Sequence, residues 1–183
     1  MAFIETGLPG LVIVEPKVFA DDRGHFFESY NESVFAAAGI TCRFLQDNQS
    51  KSRYGVIRGL HCQRGTQAQA KLVRVVQGTI LDVAVDIRCG SPTFGRHFAV
   101  ELSDENFRQL FVPRGFLHGF SVLSDTAVLQ YKCDNHYDKE SEAGVRYDDP
   151  ALGIDWRIPG DKICLSAKDA GLRGFEHVAC YGE

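Results

Sequence analysis

No stretch of the 183-residue chain approaches the ~20 consecutive apolar residues needed to cross a bilayer. The longest apolar runs are short; Gly10-Leu11-Val12-Ile13-Val14 is closed at once by Glu15 and Pro16. The opening residues, Met1-Ala2-Phe3-Ile4-Glu5, lack the basic and apolar regions of a secretory leader, so secretion is not expected. An excess of positive charge is missing too. Twenty Lys and Arg stand against 24 Asp and Glu, a net charge of −4. That sign argues against non-specific binding to nucleic acid or to an anionic membrane. Any anionic ligand must then be held by a local cluster of cations. The six cysteines (Cys42, Cys62, Cys89, Cys133, Cys164 and Cys180) contain no C-x-x-C pair. Reduced, cytoplasmic thiols are expected over a disulfide framework, because a chain of this length can build a core without covalent staples.

Repeats, low-complexity tracts and linkers are absent as well, and one domain over residues 1–183 is expected. Hydrophobic residues at 44% and charged residues at 24% are ordinary globular values, which excludes wholesale disorder, collagen-like repeats and coiled coil. Helix signals are scarce. The clear early one is residues 31–39, with Asn31 as cap, Val34-Phe35-Ala36-Ala37-Ala38 as body and Gly39 as stop. Strand signals dominate: residues 55–61, 71–76, 79–87, 97–102, 107–112 and 127–133, with a turn at Gln77-Gly78. In the third of these, Leu81, Val83, Val85 and Ile87 share one face and Asp82, Ala84 and Asp86 the other. Many short strands with Gly- and Pro-rich turns point to an all-β sandwich or barrel. From about residue 134 the chain turns charged and turn-rich, which predicts a tail of turns and short helices packed on the β core.

Three features carry chemistry: Arg58-Gly59-Leu60-His61, Pro113-Arg114-Gly115-Phe116-Leu117-His118, and Tyr131. Ala127, Leu129 and Tyr131 share a strand face. If that face is the interior, the phenol sits among apolar groups and needs a partner. Tyr131 and the histidines, each taken singly, are better explained as satisfied, hydrogen-bonded side chains than as catalysts. Together, Pro-x-Gly-x-x-His and an upstream His-bearing strand resemble the two halves of the cupin signature, which implies a double-sheet jelly-roll barrel with a ligand cavity in its mouth. Metal-binding cupins need His-x-His plus a carboxylate. This chain reads His61-Cys62-Gln63, so no bound metal is expected.

At this point the chain resembles the dTDP-4-dehydrorhamnose 3,5-epimerase family, over about residues 8–170 and in the family's order. The matching segments include Asp22-Arg23-Gly24-His25-Phe26-Phe27-Glu28, Gln46-Asp47-Asn48-Gln49-Ser50, Arg58-Gly59-Leu60-His61-Cys62-Gln63, Lys71-Leu72-Val73-Arg74-Val75 and Leu165-Ser166-Ala167-Lys168-Asp169. The resemblance implies a cofactor-free, two-base epimerase. His61 would take a proton from the carbon beside a ketone, with Asp169 orienting it, Lys71 by the ketone oxygen and Tyr131 returning a proton from the opposite face. Arg23, Phe26, Glu28, Gln46, Asp47, Asn48, Arg58, His118, Glu142 and Lys168 would line the site of a dTDP-4-keto-6-deoxysugar. A homodimer with a shared active site is implied. Gln49 and Cys62 depart from the family, which often has His and an aromatic there. Three alternatives stay open: an epimerase acting at C3 or C5 alone, a metal-dependent cupin, and a non-catalytic sugar-nucleotide binder.

One difficulty follows from spacing. Arg58 and His61 are three apart, so a flat strand would send them to opposite faces. Either Gly59 between them marks a bulge that re-aims one of the two, or Arg58 serves another surface, such as the dimer partner's site.

Overall fold

A computed structural model describes residues 1–182; Glu183, the last residue of the expected domain, lies outside them. In chain order the strands are β1 (Ala2–Glu5), β2 (Val12–Glu15), β3 (Phe19–Asp21), β4 (Gly24–Phe26), β5 (Gln46–Arg53), β6 (Ile57–Gln63), β7 (Lys71–Gln77), β8 (Thr79–Asp86), β9 (His97–Ser103), β10 (Gln109–Val112), β11 (Phe116–Val122), β12 (Thr126–Cys133) and β13 (Glu142–Gly144). They form a six-stranded sheet in the order β1-β2-β10-β7-β12-β5, a five-stranded sheet in the order β13-β6-β11-β8-β9, and the separate hairpin β3-β4. All named pairings are antiparallel. This is the double-sheet jelly roll that the strand spacing and cupin-like motifs predict.

Apolar side chains cover three surfaces. Between the sheets pack Val73, Val75, Ile80, Leu102, Leu110, Val122 and Leu129. Behind the five-stranded sheet, Ile57, Leu81, Val83, Val85 and Leu117 meet Val145, Leu152 and Trp156 of the C-terminal segment. Behind the six-stranded sheet, Val14, Leu72 and Phe111 meet Phe35 and Ile40. Phe35 belongs to helix α1 (Glu32–Ala37), which Asn31 caps by accepting from the Ser33 and Val34 amides. Burying a side chain of that size stabilises by roughly 1.5–3 kcal/mol.

The alternation in β8 thus has no solvent side: Asp82, Ala84 and Asp86 are as buried as their apolar neighbours. Asp86 is satisfied by Arg88, Ser91 and Thr93. Burial opposes its ionisation, and those donors outweigh burial and hold its carboxyl far below the usual range. Strand β5 is a second departure. Its eight residues are all polar, so periodicity offers no strand there. It forms because its whole length pairs with β12, from Arg53 opposite Thr126 to Gln46 opposite Cys133.

The expectation of reduced thiols fails for two of the six cysteines. Cys89, just after β8, is bonded to Cys180, 91 positions away. Backbone pairing brings them together: Tyr181 donates to the Ile87 carbonyl and Cys89 donates to the Tyr181 carbonyl. Sequence spacing carries no trace of that contact. Cys42, Cys62, Cys133 and Cys164 are free. After Cys133 the chain continues through β13, three-residue 3-10 turns and the one-turn helix α2 (Ala167–Ala170). No helix among the described residues is long and apolar enough to cross a membrane.

Candidate active site

The spacing difficulty at Arg58 and His61 is resolved by the register of β6 against β11. His61 lies opposite His118, yet Arg58 lies opposite Phe120, so β6 carries one residue more than its partner across this stretch. The bulge turns Arg58 and His61 to the same cleft. It also presses the two backbones together. A Cβ on Gly119 would lie 2.7 Å from the Arg58 carbonyl oxygen, and one on Gly59 would lie 2.6 Å from the Gly119 Cα. Both positions therefore require glycine.

The cleft consists of two adjoining cavities of about 270 Å³ each, and His61, Lys71, Tyr131 and Glu142 line both. Gln46, Asn48, Gln63, Gln69 and Tyr137 belong to one half. Arg58, His118, Lys168 and Asp169 belong to the other. A larger cavity of about 650 Å³ lies between the 64–66 loop and the C-terminal segment, but His61, Lys71 and Tyr131 do not line it. The convergent titratable groups place the chemistry in the smaller cleft.

His61 Nε2 and Asp169 Oδ1 are 2.6 Å apart. Helix α2 sets the carboxylate, and its cap residue Ser166 accepts from the Asp169 amide. A carboxylate only accepts, so Nε2 carries the ring proton and the Nδ1 lone pair is left for a substrate. Burial pushes the imidazole below its ordinary value, against the pull of Asp169. His61 is therefore a neutral base near pH 7.

Tyr131 reaches the cleft from β12 of the opposite sheet. Burial raises its phenol above the usual value, so it holds its proton and can donate it. Lys71 opens β7 and also faces the cleft, where burial lowers its ammonium from the usual lysine value. Arg58 is steadied by donating from Nε to Ser52 Oγ at 3.1 Å. Lys168 donates to Glu142 at 2.7 Å, and Tyr137 donates to the other oxygen of the same carboxylate at 3.2 Å. Burial works against ionisation of Glu142, and the charge of Lys168 outweighs it, leaving the carboxyl below its usual value. His118 Nε2 is 2.8 Å from Asp82 Oδ1, both side chains being buried.

Of the residues expected to bind substrate, Gln46, Asn48, Arg58, His118, Glu142 and Lys168 line the cleft with His61, Lys71, Tyr131 and Asp169. Four do not. Alternation along β5 turns Gln46 and Asn48 inward and Asp47 outward, where it pairs with Lys132 at 3.0 Å. Arg23 pairs with Asp21 on the exposed hairpin β3-β4, and Phe26 on the same hairpin is 70% exposed. Glu28 accepts from Asn31. Among the described residues, no three His, Cys, Asp or Glu side chains converge as a metal-ligand set. Sequence reasoning missed Tyr137, which sits on a loop without periodicity. It also missed the partnership of Asp82 with His118, for which the alternation in β8 was the available signal.

The model of the family described as dTDP-4-dehydrorhamnose 3,5-epimerase matches residues 5–177. The chain belongs to that family. A dTDP-4-dehydrorhamnose 3,5-epimerase of Methanothermobacter thermautotrophicus is 50% identical over 180 residues, covering 98% of this chain and 97% of its own. Among solved structures, the family's enzyme from Elizabethkingia anophelis NUHP1 has a TM-score of 0.92 at 52% identity, over 96% of this chain and 97% of that one. A dTDP-6-deoxy-D-glucose-3,5-epimerase from Legionella pneumophila, in complex with dTDP-4-keto-L-rhamnose, has a TM-score of 0.93 at 49% identity, over 97% and 94%. At such identity and coverage, this chain shares the family's jelly roll over 96–97% of its length.

Proposed function

We infer that this chain is an epimerase that inverts C3 and C5 of dTDP-4-dehydro-6-deoxy-D-glucose, giving dTDP-4-dehydro-L-rhamnose. The observation that carries this is the approach of an imidazole–carboxylate pair and a protonated phenol to one cleft from opposite sheets, with a lysine lining the same cleft. A carbon beside a ketone is a weak acid, and inversion there needs a proton removed from one face and delivered to the other. His61 Nδ1 takes the proton, and the C–H electron pair moves into an enolate whose oxygen lies by the Lys71 ammonium. Tyr131 O–H then delivers a proton to the opposite face. His61 releases its proton to solvent and the Tyr131 phenolate regains one, and the cycle repeats at the second carbon. Asp169 supports the imidazolium while it exists. Arg58 and Lys168 supply the local cations that a diphosphate needs on a chain of net negative charge.

The hairpin β3-β4 presents Arg23 and Phe26 to solvent, away from their own cleft. In this reading the protein is a homodimer, and Arg23, Phe26 and Glu28 complete the nucleotide site of a second copy. A cytoplasmic location belongs to the same reading; four free thiols accord with it and the Cys89–Cys180 bond speaks against it. NMR of the 4-keto sugar nucleotide with the protein in D2O tests the reaction. Deuterium is expected at both C3 and C5. Deuterium at one carbon alone would make the enzyme a mono-epimerase, and no exchange at all would overturn the reading.

A further inference from the structure

Between β12 and β13 the chain runs through a loop, residues 134–141, whose Tyr137 lines the cleft. Both feet of the loop are tied to the β6–β7 connection. The Asp134 amide donates to the Ala70 carbonyl, and its carboxylate accepts from the Ala70 amide. Gln69 donates to the Asn135 carbonyl, and Asn135 donates to the Thr66 carbonyl. At the other foot the Ser141 carbonyl accepts from the Arg64 amide.

The tip is held in another way. Tyr137 is 53% exposed and belongs to none of the three apolar clusters, so burial does not fix it. Two consecutive backbone amides are gripped instead. The Tyr137 N–H donates to Gln46 Oε1 at 3.1 Å, and the Asp138 N–H donates to Gln63 Oε1 at 3.0 Å. Gln46 belongs to β5 of the six-stranded sheet and Gln63 to β6 of the five-stranded one. One amide is thus tied to each of the two sheets that form the cleft, and both glutamines line the same half of it. Gln63 is only 6% exposed. An apolar side chain would be buried there at less cost, but the Asp138 amide would then lose its partner.

We propose that Gln63 is a positioning residue: with Gln46 it holds the loop tip so that Tyr137 forms a fixed wall of the cleft, and it governs substrate affinity, not proton transfer. The inference rests on the reading of this cleft as the substrate site of an epimerase. With its backbone fixed, the Tyr137 phenol donates to one oxygen of Glu142 while Lys168 donates to the other. A loose tip would surrender the first of these bonds, and a substrate would have to order the ring on binding.

Gln63→Met in the full chain keeps the length of the side chain and lacks its carbonyl; Gln63→Leu replaces it should the Met variant not fold. KM for the 4-keto sugar nucleotide should rise by about three- to tenfold, the scale of one hydrogen bond, with kcat within about twofold. His61 lies two residues away on β6, so a fall in kcat at unchanged KM would mean that Gln63 serves the base, and the proposal fails. Tyr137→Ala should raise KM at least as much, and adding Gln63→Met to it should change KM by less than about twofold. Equal losses in both backgrounds would mean that Gln63 meets the substrate itself, which also overturns the proposal. Amide hydrogen exchange reads the grip without any ligand. The Asp138 amide should exchange about tenfold faster or more in Gln63→Met, with the amides of β6 and β13 unchanged. An unmoved Asp138 rate sinks the inference even if the protein is an epimerase. A faster rate in a protein that leaves the keto sugar untouched sinks the epimerase reading and leaves the grip on the loop standing.

Discussion

The two halves of the space between the sheets are built from the same strands. On β7, Lys71 faces the cleft while Val73 and Val75 face the apolar core. On β12, Tyr131 faces the cleft and Ala127 and Leu129 join the core. On β8, Asp82 stands between Ile80 and Ala84, both core residues. Period-two alternation selects the face on which a side chain falls, and position along the strand decides whether that face meets oil or substrate. The apolar half stabilises by removing surface from water. The polar half holds groups whose ordinary ionisation burial has shifted: His61 and Lys71 downward, Tyr131 upward. One half therefore stabilises the fold, and the other carries groups whose burial the fold must offset.

That contrast can be broken by substitution. His61→Ala should lower turnover by roughly two to four orders of magnitude, the usual scale for a general base. Its dTDP affinity, read by calorimetry, should be nearly intact. Activity within a few-fold of wild type would remove His61 from the role of base. Leu110→Ala strikes the other half, where Leu110 is fully buried. It should cost about 2–5 kcal/mol in denaturant unfolding while kcat of the folded protein holds. A fall in kcat there would show that the halves are coupled.

Tyr131→Phe sharpens the comparison within the cleft. It should slow complete epimerisation by about tenfold or more, while solvent exchange of the first proton, which His61 performs, suffers less. Equal loss of both, followed in D2O, would deny the phenol its part as returning acid. The smallest expected effect is on pH dependence. The working form of His61 is the neutral one, and burial lowers its pKa. The acid limb of kcat/KM should therefore lie below the ordinary imidazole value of about 6.5. A limb above that value would place a stronger carboxylate influence on the ring than the structure shows.

Much of this barrel was legible in the order of its residues. Six of the strand runs, the capped helix at Asn31 and the inward face of Tyr131 follow from periodicity and turn chemistry, which act over a few residues. The bulge at Gly59 was legible as one of two alternatives, because two side chains wanted on one face were an odd number of residues apart, and the register of β6 against β11 decided between them. Strand β5 was not, because nothing in Gln46-Asp47-Asn48-Gln49-Ser50-Lys51-Ser52-Arg53 favours a strand until β12 offers it hydrogen bonds. The outward turn of Asp47 follows from that pairing, and the resemblance to a family carried no such geometry.

Local pattern and motif by themselves determined the fold class, the family resemblance and the residue types that carry the chemistry. Tertiary structure alone decided which of them meet. His61 and Asp169 are 108 positions apart, Cys89 and Cys180 are 91, and His118 finds its carboxylate on another strand. Contacts of that span form only once the sheets have closed. Until then no short-range preference fixes His118 as the partner of Asp82 or Lys132 as the partner of Asp47.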